Sequence, residues 1–512
     1  VLYTITSTLP PIHGGRTKAL LSRIQLMNKE LSATNTILTT NYNADYHQVI
    51  ESFISNGKLG ANIKVENVYD WLADYNLLYT PNSKERKKAK YYKTKRKIKG
   101  LKHKANENNN NIVRYYDGDE YVLYRKYRQD SDVLDFEDFM TPYCKKRVER
   151  WHYNEFGQLH KKTYYSTKRY GKIAEKFYDR DGNKYCEKFF ADDDKTTLVL
   201  IQLYKKGRMY KAFSTEKQLF EYYFEERLTD GDIVFNDARL LDRPLLNQKN
   251  NTENVLVLHN SHLNNDEVKG SFKFALKHSE KVTKYLVLTE HQKQDIQSVY
   301  DIEDEKFAVI PHFTLQKNPK YSKDQPQDRF IYIGRFGHQK QLDHLIKAYH
   351  RFRQRGYTTK LVMFGKDEAG QLQMIQDLID VYKLNEYVEI NEFTNNPLLE
   401  FNNSRASLLT SNYEGFGLTI MESIDAGCPV VSYDVKYGPR EIIEEGKTGY
   451  LVEPNNIEDF AEKMIQIVEY PLTNVRTNER LKYKAAVENY KDLLQMLAHK
   501  KSKFSKIFDK IK

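Results

Sequence analysis

The chain has 512 residues, with 81 Lys and Arg against 70 Asp and Glu, for a formal net charge of +11. At roughly 100–200 residues per domain it holds two to four domains, which excludes a disulfide-stapled miniprotein and a mostly disordered chain. The charge excess is local: Lys84 to Lys104 carries 12 basic residues against Glu85 alone, so the remainder is formally neutral.

Cys144, Cys186 and Cys428 are odd in number, far apart and without metal-ligand spacing, so neither a disulfide framework nor a structural zinc is expected and a reducing setting fits. No run approaches the about 18–20 apolar residues of a spanning helix, and the N-terminus carries no signal-peptide pattern. The start at Val1 suits a trimmed initiator Met or short leader.

In chain order, VLYTITSTLPPIHGGRTKALLSRIQLMNKE reads as strand, glycine loop and helix, with Leu20, Leu21, Ile24 and Met27 at helical spacing. ATNTILTTNY is a second strand, and the α/β rhythm stops near Trp71. The basic run and ANENNNN follow as a solvated connector. From about Asn111 to Phe213 the pattern becomes period-two alternation of aromatic and polar residues around turns at Gly118, Gly157, Gly182 and Gly207. This predicts successive β-hairpins in an antiparallel all-β insertion. GDIVFNDAR, NVLVLHNSH, KYLVLT and KFAVIPHF then restore the α/β rhythm, and QKNPKYSKDQPQD reads as a linker. From RFIYIGRF to GYLVEP, strands alternate with helices as in a parallel, doubly wound sheet. The predicted organisation is 1–75, first part of an N-terminal α/β domain; 76–110, basic linker; 111–215, β-rich insertion; 216–318, second part; 325–475, C-terminal α/β domain; 476–512, C-terminal helices.

The most informative stretch is NYEGFGLTIMESIDAGCPVV, Asn412 to Val431. Glu414 ends a strand-loop, Gly415, Phe416 and Gly417 make a flexible turn, and Glu422 follows about one turn into the next helix. Such a turn lies at the carboxyl edge of an open parallel sheet, where the backbone N–H groups at the helix start favour a phosphate. Two carboxylates at this spacing suit sugar or ribose hydroxyls. An isolated pair of this kind also fits a glycine-rich helix cap with a surface Glu. Ile333-Gly334-Arg335-Phe336 and Lys340 add two cations beside the same edge, suited to a diphosphate, although Arg and Lys after a strand are commonly solvated surface charge.

In the order IGRF…K, FG, EGFGLTIMESIDAGCPVV, GPREII and GKTGYLVEP, residues from about Phe330 to Leu472 resemble the retaining glycosyltransferases of the GT-B fold, family 4. The resemblance implies an α/β GT-B fold of two Rossmann-like domains, with the antiparallel domain inserted in the N-terminal half. It implies catalytic or donor-activating roles for His259, Arg335, Lys340 and Glu414, with His262 a weaker rival to His259. It places the donor on Gly14, Gly15, Arg16, Gly334, Gly415, Phe416, Gly417, Leu418, Thr419 and Glu422, the last on the ribose. A satisfied strand-end histidine is the plain alternative for His259.

The inserted β domain and the basic segment before it look like the wall teichoic acid glycosyltransferases of Gram-positive bacteria, and TSTLPPIHGGRTKALL looks most like the poly(glycerol-phosphate) α-glucosyltransferases. Transfer of glucose or N-acetylglucosamine from a UDP-sugar to poly(glycerol-phosphate) or poly(ribitol-phosphate) is then expected. Glycosylation of Ser-Asp repeat surface proteins is the alternative, and a polyanion- or nucleic-acid-binding protein a remoter one. No cofactor and no metal are expected, since the Asp-rich strings at Asp117, Asp192 and Asp230 fall in turns or before a strand. The resemblance also implies a homotrimer through the insertion.

Two basic stretches suggest further partners. Lys87, Lys88, Lys93 and Arg96 suit an anionic alditol-phosphate polymer, although such a run is often simply a solvated face; no nucleic-acid motif accompanies it. In the C-terminal KKSKFSKIFDKIK, Phe504, Ile507, Phe508 and Ile511 share one helical face, as in an interfacial membrane helix or one packed on its own domain. A cytoplasmic enzyme, peripheral at the inner face of the membrane, is the expected location.

Overall fold

The computed structural model describes residues 1–11, 14–75, 91–264, 266–314 and 326–508, with side chains up to residue 498. Two compact units account for the chain: Val1–His13 with Thr34–Thr252, and Gly14–Ala33 with Glu253–Lys512.

In the first unit, β1 (Leu2–Thr6) pairs in parallel with β2 (Asn35–Thr39), and β2 with β3 (Lys64–Asn67). All five residues of β1 are buried, as expected of a strand covered on both faces. Ten strands follow, from β4 (Lys102–Asn106) and β5 (Asn109–Asp117) to β13 (Arg208–Phe213), each pairing antiparallel with its neighbours in sequence to form one meandering sheet. The expected hairpin glycines sit in its turns with positive φ: Gly118 at 59°, Gly157 at 78°, Gly182 at 83° and Gly207 at 75°. The chain then returns to the parallel strands as β14 (Ile233–Asn236), which pairs with β1.

One expectation needs correction here. The span read as a basic linker, 76–110, already contains β4 and the start of β5, so the antiparallel sheet begins before 111. β4 is an exposed edge strand, KHKAN, and carries no apolar alternation that would betray it. The α/β rhythm does stop near Trp71, after β3 and the helix Val68–Leu72, two elements too short for periodicity to reveal.

Buried charges join the sheet to the parallel strands. Lys188 Nζ donates to Tyr69 Oη at 2.7 Å and Glu216 Oε1 at 2.5 Å. Glu66 accepts from Tyr223 Oη at 2.8 Å and from Arg227 Nε at 2.7 Å. Burial pushes the Glu66 carboxyl up, but the Arg227 and Tyr223 hydrogen bonds outweigh it and hold the pKa below its usual value. Asp70 has no such help: burial, aided by the charge of Glu66, raises it to about 7, and its Oδ1 is buried without a partner.

The second unit starts with the helix Gly15–Glu30. Three parallel strands follow in the order β15 (Glu253–Val257), β18 (Lys284–Val287), β19 (Phe307–Val309), with the short hairpin β16 (Leu263–Asn264) and β17 (Glu267–Val268) between the first two in sequence. A six-stranded parallel sheet comes next, ordered β22 (Val388–Asn391), β21 (Lys360–Phe364), β20 (Gln327–Ile333), β23 (Ser404–Leu409), β24 (Val430–Tyr433), β25 (Gly449–Val452). The helix Leu342–Gln354 buries Leu342, Leu345, Ile346 and Tyr349 at i, i+3, i+4, i+7, and these join Phe330, Leu361 and Leu408 of the sheet in one core. Sheet order changes direction between β20 and β23, so the loops after these two strands open onto a shared crevice.

Candidate functional site

The loops after β20 and β23 build the site. After β20 the backbone must pass a narrow gap: a Cβ on Gly334 would lie 2.6 Å from Tyr332 Oη, and one on Gly365 would lie 2.0 Å from Gly334 O. Tyr332 Oη donates to Arg335 O at 2.9 Å and so fixes the turn that presents Arg335. The Arg335 guanidinium is 62% exposed and donates from one nitrogen to both oxygens of Glu368, at 2.8 and 2.6 Å.

Lys340 reaches inward instead. Its Nζ donates to Glu414 Oε1 at 2.6 Å, and Ser411 Oγ donates to the same oxygen at 2.6 Å. Both partners of this ion pair are largely buried, with side chains 15% and 10% exposed. The loops are tied as well as the side chains: Asn412 N donates to Gln339 O at 2.8 Å, and Thr410 Oγ1 to Lys340 O at 3.0 Å. An acid and a base are thus held together at the strand edge, each with little access to water, and a ligand offering hydroxyl and phosphate groups can contact both.

Gly417 caps the next helix, Leu418–Asp425, at φ 95°, a conformation that favours glycine. Phe416 is buried, and Gly415 packs so tightly that a Cβ would sit 2.2 Å from His259 O. Leu418 and Thr419 open the helix half-buried, and its first N–H groups have no acceptor within the helix. A second helix begins beside it. Gly14 caps the helix Gly15–Glu30, and a Cβ on Gly15 would lie 2.7 Å from Leu418 Cδ1. Two helix N-termini therefore converge, and two positive dipole ends favour an anion between them. Arg16 is exposed in the first turn. Lys18 ion-pairs with Glu422. A cavity of about 80 Å³ opens here, lined among others by Lys18, His259, His312, Leu418, Glu422 and Asp425.

His259, 9% exposed, stacks on His312 with ring centres 5.7 Å apart, and His312 meets Phe416 edge-on at 5.2 Å. His262 is fully buried and stacked on Tyr437 rather than lining that cavity, and burial lowers it to about 4. Gly14, Gly15, Arg16, His259, Gly334, Arg335, Lys340, Glu414 to Thr419 and Glu422 all belong to the second unit. Lys93 and Arg96 belong to the first. Lys93 bridges to Val133, while Arg96 donates to Asn110 O at 2.6 Å and Ser131 O at 3.1 Å and lies over the Tyr127 ring. The fold thus already engages the Arg96 guanidinium, whereas Lys93 is tied through its backbone. Lys87, Lys88 and the side chains of the C-terminal amphipathic segment lie outside the described residues.

Sequence reasoning missed Lys18, Ser411, Glu368 and His312. Of these, Lys18 had a local signal, a cation one turn into a helix that starts on two glycines. The other three meet their partners only through the fold. Among the described residues no group of three or more His, Cys, Asp or Glu could hold a metal ion, and no helix is long and apolar enough to cross a membrane.

Residues 314–487 match the family of glycosyl transferases group 1. Over 501 residues the chain is 26% identical to the poly(glycerol-phosphate) alpha-glucosyltransferase of Bacillus subtilis, covering 93% of this chain and 71% of the relative. It is 27% identical over 467 residues to the poly(ribitol-phosphate) alpha-N-acetylglucosaminyltransferase of Staphylococcus aureus, covering 89% and 90%. The crystal structure of an S. aureus TarM mutant in complex with fondaparinux, alpha-GlcNAc-glycerol and UDP superposes with a TM-score of 0.77 at 23% identity, covering 95% of each chain. The fold is therefore α/β and GT-B-like.

Proposed function

We propose that this chain, homologous to teichoic acid glycosyltransferases and carrying a glycosyl transferases group 1 domain, is a retaining hexosyltransferase. It moves glucose or N-acetylglucosamine from a UDP-sugar to hydroxyls of a poly(glycerol-phosphate) or poly(ribitol-phosphate) chain. The observation that carries the reading is the buried Lys340–Glu414 pair at the sheet edge, one loop away from the Lys18–Glu422 pair at two convergent helix starts.

The barrier in such a transfer is departure of a diphosphate from an oxocarbenium-like carbon, so the useful catalyst is positive charge placed where negative charge grows. Lys340 and Arg335 supply it, assisted by the helix-start amides of Gly415 to Leu418. Arg335 exchanges its Glu368 carboxylate for a phosphate oxygen, which its planar guanidinium accepts equally well. Glu422 takes the ribose hydroxyls and Glu414 those of the transferred sugar. The acceptor hydroxyl attacks from the leaving-group face and gives its proton to the departing phosphate oxygen. No second carboxylate of the hydrolase kind is then needed, and no metal is invoked. His259 lies beside Gly415 and lines the cavity, where it serves the reacting sugar.

The antiparallel sheet is the proposed trimer contact, and the basic run from Lys84 to Lys104 the proposed track for the acceptor's phosphates. The C-terminal basic helix is the proposed membrane contact of a cytoplasmic enzyme.

The test is release of UDP from UDP-glucose and UDP-N-acetylglucosamine with glycerol-phosphate polymer, ribitol-phosphate polymer or Ser-Asp peptide as acceptor. Polymer-dependent release supports the reading. Release only with the peptide, or none, overturns the acceptor or the activity respectively, and a trapped covalent glycosyl-Glu414 overturns its positioning role.

A further inference from the structure

The helix Glu290–Gln297 supplies no residue to the transfer described above, yet it touches the Glu414 loop through two sets of neighbours. From its last turn, Asp295 Oδ2 accepts from Lys436 Nζ at 2.7 Å and from Tyr437 Oη at 2.8 Å. The backbone of these same two residues brackets Glu414: Glu414 N donates to Lys436 O at 2.8 Å, and Tyr437 N donates to Glu414 O at 2.7 Å. From its first turn, Gln292 Nε2 donates to Asn260 O at 3.0 Å. Asn260 and His259 are the residues against which Gly415 packs, with a Cβ on Gly415 falling 2.9 Å from Asn260 Cα and 2.2 Å from His259 O. One helix therefore braces Glu414 from one side and Gly415 from the other.

The brace is itself well fixed. Thr289 caps the helix, accepting from Gln292 N at 3.1 Å. The Tyr437 ring is fully buried, stacked on His262 and edge-on to His291. Next to it, Gly438 lies where a Cβ would come within 1.7 Å of Phe416 O, so the 436–438 segment cannot move without moving the glycine turn. Burial works against the charge of Asp295, but the Lys436 and Tyr437 hydrogen bonds and the Lys436 charge outweigh it and hold the carboxyl below its usual range. A charge-assisted bond of this kind is roughly twice as strong as a neutral one.

We propose that Asp295 is a positioning residue: acting through Lys436 and Tyr437, it fixes the backbone at Glu414 and with it the direction in which the Glu414 carboxylate meets the donor sugar. The inference rests on the reading of Glu414 given above. It separates two quantities, because Arg335 and Glu422, which bind the rest of the donor in that reading, are not held by this brace. Loss of Asp295 misorients the sugar at the reacting carbon while leaving donor affinity in place.

The experiment uses the full chain with Asp295→Ala, Asp295→Asn and Asp295→Glu, assayed with both UDP-sugars and glycerol-phosphate polymer, alongside hydrogen exchange of peptides covering 411–418 and 434–439. In Asp295→Ala and Asp295→Asn, kcat falls about tenfold or more while donor KM stays within about twofold, and both peptides exchange faster than in the wild type. Asp295→Glu recovers most of kcat. A kcat within about twofold of the wild type, a loss carried by donor KM, or unchanged exchange in both peptides overturns the proposal. Should Asp295→Ala fail to fold, the isosteric Asp295→Asn decides on the same readouts. Should the wild type turn over no sugar nucleotide, the functional reading is what fails, and exchange alone then decides whether Asp295 fixes the Glu414 backbone: faster supports it, unchanged overturns it.

Discussion

The ten-stranded antiparallel sheet and the six-stranded parallel sheet handle charge in opposite ways. In the antiparallel sheet ion pairs run between adjacent strands on both faces: Arg150 Nε donates to Asp138 at 2.5 Å on one, while on the other Arg125 Nε donates to Glu137 at 2.9 Å and Lys162 lies 3.5 Å above the Trp151 ring. Each group finds its partner on the next strand, so the pairing is part of the fold. In the second unit the pairs at Glu414, Glu422 and Glu368 gather instead on loops and helix starts at one sheet edge. A pair on a sheet face has nothing to exchange with, whereas a pair at a crevice is a set of contacts that a ligand of matching charge can take over.

Four substitutions break or sharpen this contrast, and the largest effect belongs to the crevice. Lys340→Met leaves Glu414 without its cation and should lower kcat/KM by about 10²- to 10³-fold, or about 3–4 kcal/mol, and the melting temperature as well, because the carboxylate it strands is largely buried. Next comes Asp70→Asn in the first unit. Its folded pKa of about 7 lies above the ordinary carboxyl value of 3.8, so the native chain holds the proton more tightly. Asp70 thus costs stability increasingly as pH rises from about 4 to 7, fully above that, and nothing at low pH. Denaturant unfolding should show the Asn variant more stable at pH 8, on the order of 2 kcal/mol, and equal near pH 4. Glu422→Gln should raise donor KM about tenfold with kcat nearly unchanged, since it removes binding shared by ground and transition states. The smallest effect is expected for Arg150→Met, about 1 kcal/mol of stability by denaturant titration with UDP release unaltered.

Much of this crevice was legible because its key residues are close in sequence. Glu414, the glycine turn and Glu422 lie in one strand-turn-helix passage, and Arg335 and Lys340 in one other. What stayed hidden are the groups that hold them. Asp295 reaches Lys436 and Tyr437 from far along the chain, and Glu368 reaches Arg335 from the loop after the neighbouring strand, so neither leaves a spacing to recognise. The fold shows the same division. The hairpins announced themselves through alternation and through glycines at positive φ, and the helix Leu342–Gln354 through its buried stripe. β3 has four residues and only two buried, and β4 alternates nothing. The partners of Arg96, whose three nitrogens bond to Asp132, Asn110 and Ser131, are likewise something no charge count reveals.

The exposed edges of that sheet give some of the positive charge a different task. Among the described residues β4 and β13 end the strand order, and each leaves a row of backbone N–H and C=O groups that another chain could extend. Lys102 and Lys104 stand on one edge, beside Asp119 at 3.9 Å and Glu107 at 3.3 Å, and Arg208 and Lys211 stand on the other, all exposed. Like charges brought together by edge-to-edge docking repel, so the sheet resists runaway self-association. Charged side chains on edge strands guard against such pairing, so neutralising Lys102, Lys104, Arg208 and Lys211 together should raise self-association, read by light scattering.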